Sequence, residues 1–150
     1  MKETRMSQAG KPSGASLQRE PHPSHRILVV EDDVLMRQFI TESLHLFGYL
    51  VDGAEDGISG WEALNAANFD LLITDNNMPR LTGIGLLKKL HAAHMALPVI
   101  MVTGAVPQNE LAECPWLQPA AILVKPYAIT ELFGAVHDVL RVTAVAQRPA

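Results

Sequence analysis

Short apolar runs alternate along this chain with stretches in which apolar residues recur every three or four positions. Four of the runs, ILVV, LLIT, VIMV and AILV, have the length typical of strands that are buried on both faces of a parallel sheet. A fifth, weaker candidate covers residues 49–54. The pattern therefore predicts five strands, at residues 27–30, 49–54, 71–74, 99–102 and 121–124.

In the segments between the runs, apolar residues recur every three or four positions, which is the spacing of an amphipathic helix. In the first segment, one face at 3.6 residues per turn is formed by Met36, Phe39, Ile40, Leu44 and Phe47. Gly48 is predicted to end that helix. Similar patterns predict a second, a third and a last helix, around residues 58–64, 86–90 and 129–140. Pro115 and Pro119 limit the fourth helix to a short turn around residues 108–113.

The alternation of strand and helix predicts an α/β fold with right-handed crossovers, in which helices cover both faces of an open parallel sheet. We expect a five-stranded, doubly wound sheet of flavodoxin-like topology, with strand order 2-1-3-4-5. Residues 26–142 are predicted to form this single domain. Residues 1–25 are mostly Ser, Gly, Pro, Gln and charged residues, which predicts a disordered extension, and residues 143–150 are predicted to be a short tail.

Acidic residues follow two of the apolar runs. The first run leads into Glu31, Asp32 and Asp33, and the third leads into Asp75. Because strands 1 and 3 are neighbours in the expected order, these carboxylates should lie close together at the sheet edge where α/β proteins bind ligands. Such a cluster needs a compensating cation, and oxygen ligands with room for water and phosphate suit Mg²⁺. Asp33 directly precedes a helix, so an N-cap role is preferred for it.

Thr103 and Lys125 end the fourth and fifth runs at the same edge. A carboxylate nucleophile, a divalent metal, a hydroxyl donor and an ammonium group together suit a phosphoryl group. Asp75 can attack phosphorus to form an aspartyl phosphate, while the metal and Lys125 neutralise charge on the phosphoryl oxygens. Thr103 would hydrogen-bond one of those oxygens, and Gly104 leaves the approach open.

Charge and cysteine content narrow the class of protein. The 150 residues carry a formal net charge of −4, whereas domains that bind nucleic acid usually carry an excess of positive charge. Direct DNA binding is therefore not expected. Cys114 is the single cysteine, so no intrachain disulfide can form and a reducing compartment is expected. No apolar stretch has the length of a signal-peptide core or a membrane span. These features predict a cytoplasmic protein without membrane contact.

Four segments resemble the signature segments of the receiver domains of bacterial two-component response regulators. They are ILVVEDDVLMR, FDLLITDNNMPRLTG, LPVIMVTG and AAILVKPY, at residues 27–37, 69–83, 97–104 and 120–127. Each lies at a predicted strand end and they follow the expected order, so together they are more specific than one motif alone. No output domain is expected after Arg141, so the chain resembles the stand-alone, chemotaxis-type regulators.

The resemblance implies a role for each polar residue at the strand ends. Asp75 would be the phosphoacceptor, Thr103 the switch hydroxyl and Lys125 the phosphate-binding lysine. Mg²⁺ would be held by the carboxylates of Glu31, Asp32 and Asp75 and by the backbone carbonyl of Asn77. Pro126 stands where the family has a cis peptide bond, which is a minority state that the surrounding fold must hold in place.

The resemblance implies a phosphorylation-dependent switch or phosphorelay module rather than an enzyme, with self-phosphorylation and dephosphorylation as its only reactions. A sensor histidine kinase or a histidine phosphotransfer protein would supply the phosphoryl group to a monomer or weak homodimer. An unidentified protein would respond to the result. Two alternatives stay open. One is a Mg²⁺-dependent aspartyl-phosphate hydrolase, which needs a second aspartate where Asn77 stands, and the other is a degenerate receiver acting as a scaffold.

Two features depart from the family pattern. Ile122 stands three positions before the lysine, where receivers often have an aromatic residue that moves on switching, so a signal would travel through the loop after Thr103 or through Tyr127. The prolines near the fourth helix predict an unusual surface there. Trp116 in that region is predicted either to contact a dedicated partner or to cover the core.

Overall fold

The computed structural model describes residues 25–146, in which strand and helix alternate five times. The strands are β1 (Arg26–Val30), β2 (Leu50–Ala54), β3 (Leu71–Thr74), β4 (Val99–Thr103) and β5 (Ala121–Val124). The helices are α1 (Val34–Leu46), α2 (Gly57–Ala66), α3 (Gly83–Ala92), α4 (Gln108–Glu113) and α5 (Ile129–Ala146). Each predicted strand and helix is thus present.

The predicted terminal segments fall largely beyond this range. Residues 1–24, which were expected to be disordered, and residues 147–150 lie outside the described residues. α5 continues to Ala146, so it includes the first four residues of the segment predicted to be a tail. Between residues 25 and 146, no helix combines the length and the apolar character needed to cross a bilayer.

The five strands form one parallel sheet in the order β2-β1-β3-β4-β5. This confirms the predicted fold class and strand order. The order reverses between β1 and β3, which pair with Val30 opposite Thr74. In sheets of this kind, functional groups gather beyond the carboxyl ends of the strands at the point of reversal.

Alternate residues of β1 face opposite sides of the sheet, and each side has its own apolar core. Leu28 and Val30 pack into a cluster that includes residues of α2 and α3. Ile27 and Val29 pack into a second cluster, with residues of α1 and α5. Because β1 is buried on both faces, its sequence shows an unbroken apolar run instead of polar alternation.

Side-chain caps and one glycine set the ends of helices. The Asp33 carboxylate accepts the N–H of Met36 at 3.0 Å, which confirms its predicted role as the N-cap of α1. Thr82 caps α3 by accepting the N–H of Gly85 at 3.1 Å. Gly48 has a φ of 98°, a left-handed conformation that favours glycine, and it follows α1 as predicted.

α4 is short, as the neighbouring prolines predict. Its N-cap is Pro107, whose side chain makes no capping hydrogen bond, and none of its residues is buried. Trp116 lies just beyond it and is 58% exposed, with its ring centroid 6.2 Å from that of His91. This exposure argues against the predicted alternative in which Trp116 covers the core.

Candidate functional site

The candidate site lies where β1 and β3 end side by side. Val30 and Thr74 are register partners, so Glu31 and Asp75, which follow them, leave the sheet at the same level. The N–H of Asp75 donates to the carbonyl of Val30 at 3.2 Å. The N–H of Glu31 donates to the carbonyl of Ala54, at the end of β2, at 3.1 Å. Backbone hydrogen bonds thus position the start of both loops.

Three carboxylates converge at this edge. One oxygen from each of Glu31, Asp32 and Asp75 lies within 4.8 Å of the others. Glu31 is 3% exposed and Asp75 is 5% exposed, whereas Asp32 is exposed. The site is therefore anchored in the fold and accessible at Asp32. Hard oxygen donors at this spacing fit a cation such as Mg²⁺, and they are the carboxylates that the sequence singles out.

Lys125 places its ammonium group against the two buried carboxylates. Its Nζ donates to Oδ2 of Asp75 at 2.7 Å and to Oε1 of Glu31 at 3.5 Å. The backbone N–H of Lys125 donates to the carbonyl of Thr103 at 2.8 Å, and its peptide bond to Pro126 is cis, as the resemblance implies. Burial alone lowers the pKa of Lys125, but the hydrogen bond to Asp75 and the charge of Glu31 outweigh it and raise the pKa, so the side chain stays charged.

One ammonium group does not neutralise the cluster. Burial raises the pKa of Glu31, while the N–H of Asp33 and the charge of Lys125 lower it and the charge of Asp75 raises it again. The net result is a pKa above the ordinary value of 4.5. The fold thus leaves negative charge uncompensated at this edge, and a divalent cation would favour the fully ionised cluster.

Thr103 reaches the same edge, but its hydroxyl is engaged with the loop after β4. The residue is fully buried, and Oγ1 donates to the carbonyl of Ala105 at 3.1 Å and lies 3.4 Å from the N–H of Ala105. The hydroxyl therefore holds the first turn of that loop. A Cβ added to Gly104 would meet nothing within 4 Å, so the space beside Thr103 is open.

The loop between β3 and α3 is held by two asparagines. The N–H of Asn77 donates to Oδ1 of Asp75 at 3.1 Å and so orients the carboxylate. The amide oxygen of Asn76 accepts the N–H of Ile84 at 2.9 Å, and its carbonyl accepts the N–H of Gly83 at 3.2 Å. The sequence prediction missed Asn76. The available signal was the tendency of asparagine side chains to bond nearby backbone groups in turns.

An ion pair that the sequence prediction also missed ties the same loop to α2. The carboxylate of Asp56 accepts the N–H of Ser59 at 2.8 Å and caps α2. It also accepts hydrogen bonds from Arg80, from Nε at 3.1 Å and from a second guanidinium nitrogen. Arg80 has a φ of 71°, an uncommon conformation for a residue with a long side chain, and the ion pair offsets that strain.

Replacing Asp56 with asparagine should reduce the amount by which the free energy of unfolding falls at acidic pH. The pKa of Asp56 is lowered because the carboxylate accepts the Ser59 N–H and pairs with Arg80. A carboxylate whose pKa falls on folding contributes stability above its unfolded value, here about 3.8, and that contribution is lost as the pH falls through the folded pKa. Urea unfolding at a series of pH values down to about 3 should show a smaller loss in Asp56→Asn than in the unmodified protein.

The control for this experiment is Asp138→Asn, at an exposed position of α5. It should keep the acid dependence of the unmodified protein. Identical profiles for all three proteins would show that the Asp56 contacts do not stabilise the ionised carboxylate.

One family model and several known proteins match most of this chain. The family model described as a response regulator receiver domain matches residues 27–137. The response regulator receiver protein CpdR of Brucella abortus is 34% identical over 77% of this chain and 96% of its own length. The chemotaxis protein CheY of Pseudomonas aeruginosa is 36% identical over 68% of this chain and 85% of its own length.

A solved structure and longer relatives extend the comparison. The receiver domain of the Francisella response regulator 1452 covers 80% of this chain and 99% of its own, at 30% identity and a TM-score of 0.73. The chain spans about half the length of other curated relatives, whose names describe transcriptional regulatory proteins.

Proposed function

This chain belongs to the response regulator receiver domain family, and from that premise we propose that it is a phosphorylation-dependent switch of a two-component system with Asp75 as the phosphoacceptor. Receiver domains are regulatory phosphoacceptor domains rather than classical enzymes. The observation that supports the assignment most is the 2.7 Å contact between Lys125 Nζ and the buried Asp75 carboxylate, beside the carboxylates of Glu31 and Asp32. A buried nucleophile with an ammonium group and a hard-metal donor set around it suits phosphoryl transfer to a carboxylate.

Asp75 is the nucleophile in this proposal. One of its carboxylate oxygens bonds to phosphorus while the bond from phosphorus to the donor's histidine nitrogen breaks, and that nitrogen leaves with the electron pair. The N–H of Asn77 holds one carboxylate oxygen in place. The Lys125 ammonium group moves from the other oxygen to the phosphoryl oxygens as their charge arrives. Mg²⁺ held by Glu31, Asp32, Asp75 and the backbone carbonyl of Asn77 would neutralise further charge on the phosphoryl group.

We propose that Thr103 responds to phosphorylation by hydrogen-bonding the phosphoryl group. Its hydroxyl bonds the carbonyl of Ala105, so it must leave that carbonyl to donate to a phosphoryl oxygen. This exchange would release the turn after β4 and shift a pre-existing equilibrium between two arrangements of the loop. The loop after β4 leads into α4, and the exposed Trp116 lies just beyond that helix. We propose that Trp116 contacts a dedicated downstream partner.

The donor in this proposal is a sensor histidine kinase or a histidine phosphotransfer protein, and the target is a protein still to be identified. A monomer or weak homodimer in the cytoplasm, without direct DNA contact, belongs to the same proposal. The net charge of −4 argues against DNA binding, and the single cysteine suits a reducing compartment. A hydrolase is not proposed. The position two residues after Asp75 carries Asn77, which cannot protonate a leaving group.

The test is to incubate the protein with a small phosphodonor such as acetyl phosphate, with and without Mg²⁺, and to measure an acid-labile phosphoryl adduct by intact mass. We expect an adduct that requires Mg²⁺ and is absent from Asp75→Asn. Asp138→Asn makes the same change at an exposed position of α5 and should label like the unmodified protein. An adduct that forms without Mg²⁺ or persists in Asp75→Asn would contradict the proposal. Absence of any adduct would favour the scaffold alternative.

A further inference from the structure

The side chain of Arg37 connects α1 to the loop that carries two of the proposed metal ligands. Arg37 lies in the first turn of α1, and its Nη1 donates to the backbone carbonyl of Glu31 at 2.7 Å in a partly buried contact. A hydrogen bond from a charged donor is stronger than one between neutral groups. The guanidinium group therefore holds the loop between β1 and α1 from the helix side.

The carbonyl that Arg37 binds belongs to the peptide group between Glu31 and Asp32. Because that group is planar, a hydrogen bond to its oxygen restricts the backbone rotations on either side of it, ψ of Glu31 and φ of Asp32. These two rotations set the relative directions in which the two carboxylate side chains leave the backbone. One oxygen from each of these carboxylates lies within 4.8 Å of the other and of an Asp75 oxygen. Arg37 thus acts on the relative placement of two ligands at once.

Backbone donors hold the neighbouring peptide groups of this loop. The N–H of Glu31 donates to the carbonyl of Ala54 at 3.1 Å, and the N–H of Asp33 donates to Oε2 of Glu31 at 3.2 Å. Asp32 is exposed, so its carboxylate is placed by the backbone that carries it. The contact from Arg37 fixes the peptide group that lies between these two anchored ones.

Gly53, on β2, makes room for the arginine. A Cβ at Gly53 would lie 3.2 Å from Cδ of Arg37, which is closer than an ordinary contact. The aliphatic part of the arginine side chain therefore occupies the space that a side chain on β2 would fill. Packing along this part and the hydrogen bond at its end together fix the conformation of Arg37.

We propose that Arg37 is a positioning residue for the divalent metal, an inference that rests on the proposed function. It donates to a carbonyl rather than to a carboxylate, so it does not occupy the donor oxygens as Lys125 does. By fixing the peptide group between Glu31 and Asp32, it places both carboxylates before the ion arrives, and binding then orders less of the loop. Charge alone has the opposite effect, because a positive group near the site repels Mg²⁺.

The test compares Arg37→Met with Arg141→Met in the full chain. Each variant loses one positive charge, and Arg141 is exposed on α5. Titration calorimetry with MgCl₂ should show roughly tenfold weaker binding in Arg37→Met, because the ion must then order the peptide group that the arginine held. Arg141→Met should bind Mg²⁺ like the unmodified protein. Arg37→Lys keeps a charged donor and should recover part of the lost affinity.

Phosphoryl transfer separates this role from a general loss of structure. The Mg²⁺ concentration that gives half-maximal labelling by acetyl phosphate should rise by the same factor in Arg37→Met. The labelling rate at saturating Mg²⁺ should stay close to that of the unmodified protein, because Lys125 and Asp75 keep their contact. Thermal unfolding of each variant sets a working temperature at which all of them are folded.

Three results overturn the inference. They are Mg²⁺ affinity in Arg37→Met that equals or exceeds that of the unmodified protein, Arg37→Lys that binds no more tightly than Arg37→Met, and labelling that stays slow in Arg37→Met at saturating Mg²⁺. If the unmodified protein binds no Mg²⁺ or gains no adduct from acetyl phosphate, the proposed function itself fails. If it does both and one of the three results is obtained, only the role of Arg37 fails.

Discussion

Gly83→Ala should destabilise the domain by about 1–3 kcal/mol and slow phosphoryl transfer to Asp75 by roughly tenfold or more. Gly83 is the first residue of α3, and a Cβ there would lie 2.6 Å from the carbonyl oxygen of Asp75 and 3.0 Å from Cα of Asn76. Both atoms belong to the backbone, so no side-chain rotation can relieve the clash. The loop between β3 and α3 must shift, and Asp75 shifts with it.

The matched control is Gly134→Ala. A Cβ at Gly134, on α5, would meet nothing within 4 Å, so the change should be neutral or stabilise the helix by about 0.5–1 kcal/mol. Urea unfolding gives the free energies, and adduct formation from acetyl phosphate gives the transfer rates. Wild-type stability and labelling in Gly83→Ala would mean that the loop tolerates displacement, and that its contact with α3 does not position the carboxylate.

The strands were predictable because a strand buried on both faces of the sheet has an unbroken apolar run in its sequence. β3 coincides with the apolar run LLIT, since all four of its residues are buried. The brevity of α4 was predictable for a different reason, because proline can neither donate a backbone hydrogen bond nor continue a helix. β5 shows the limit of such reasoning. It carries a similar run, yet it is an edge strand with Val124 51% exposed, and an apolar run alone does not distinguish an edge from a centre.

The residue types at the site were predictable, whereas their partners were not. Carboxylates at the ends of neighbouring parallel strands must lie close together, so the group around Asp75 follows from topology. The bond between Asp56 and Arg80 joins two loops that are 24 positions apart, and it depends on the left-handed conformation of Arg80. The engagement of Thr103 with Ala105 likewise depends on side-chain orientation, which periodicity does not describe.

Lys125→Met should distinguish the role of the Lys125 ammonium group from the role of Mg²⁺. The variant lacks the ammonium group but keeps the carboxylates that are proposed to bind the metal. Phosphoryl transfer to Asp75 should slow by roughly 10²–10³-fold, because one preorganised positive donor to the transferring group is lost. The Mg²⁺-free domain should lose about 1.5–3 kcal/mol of stability, because Asp75 and Glu31 are almost fully buried and lose a charged hydrogen-bond donor. Mg²⁺ should bind the variant more tightly, since no ammonium group competes for the carboxylates.

The diagnostic result is that Mg²⁺ stabilises Lys125→Met more than it stabilises the unmodified protein while labelling stays slow. Unfolding midpoints with and without Mg²⁺ measure the first effect, and adduct formation at saturating Mg²⁺ measures the second. Lys88→Met changes an exposed lysine of α3 and should alter neither. If Mg²⁺ restored both stability and labelling, Lys125 would serve only to neutralise charge in the metal-free domain. Slow labelling that persists after the metal has restored stability instead places the Lys125 ammonium group on the phosphoryl oxygens during transfer.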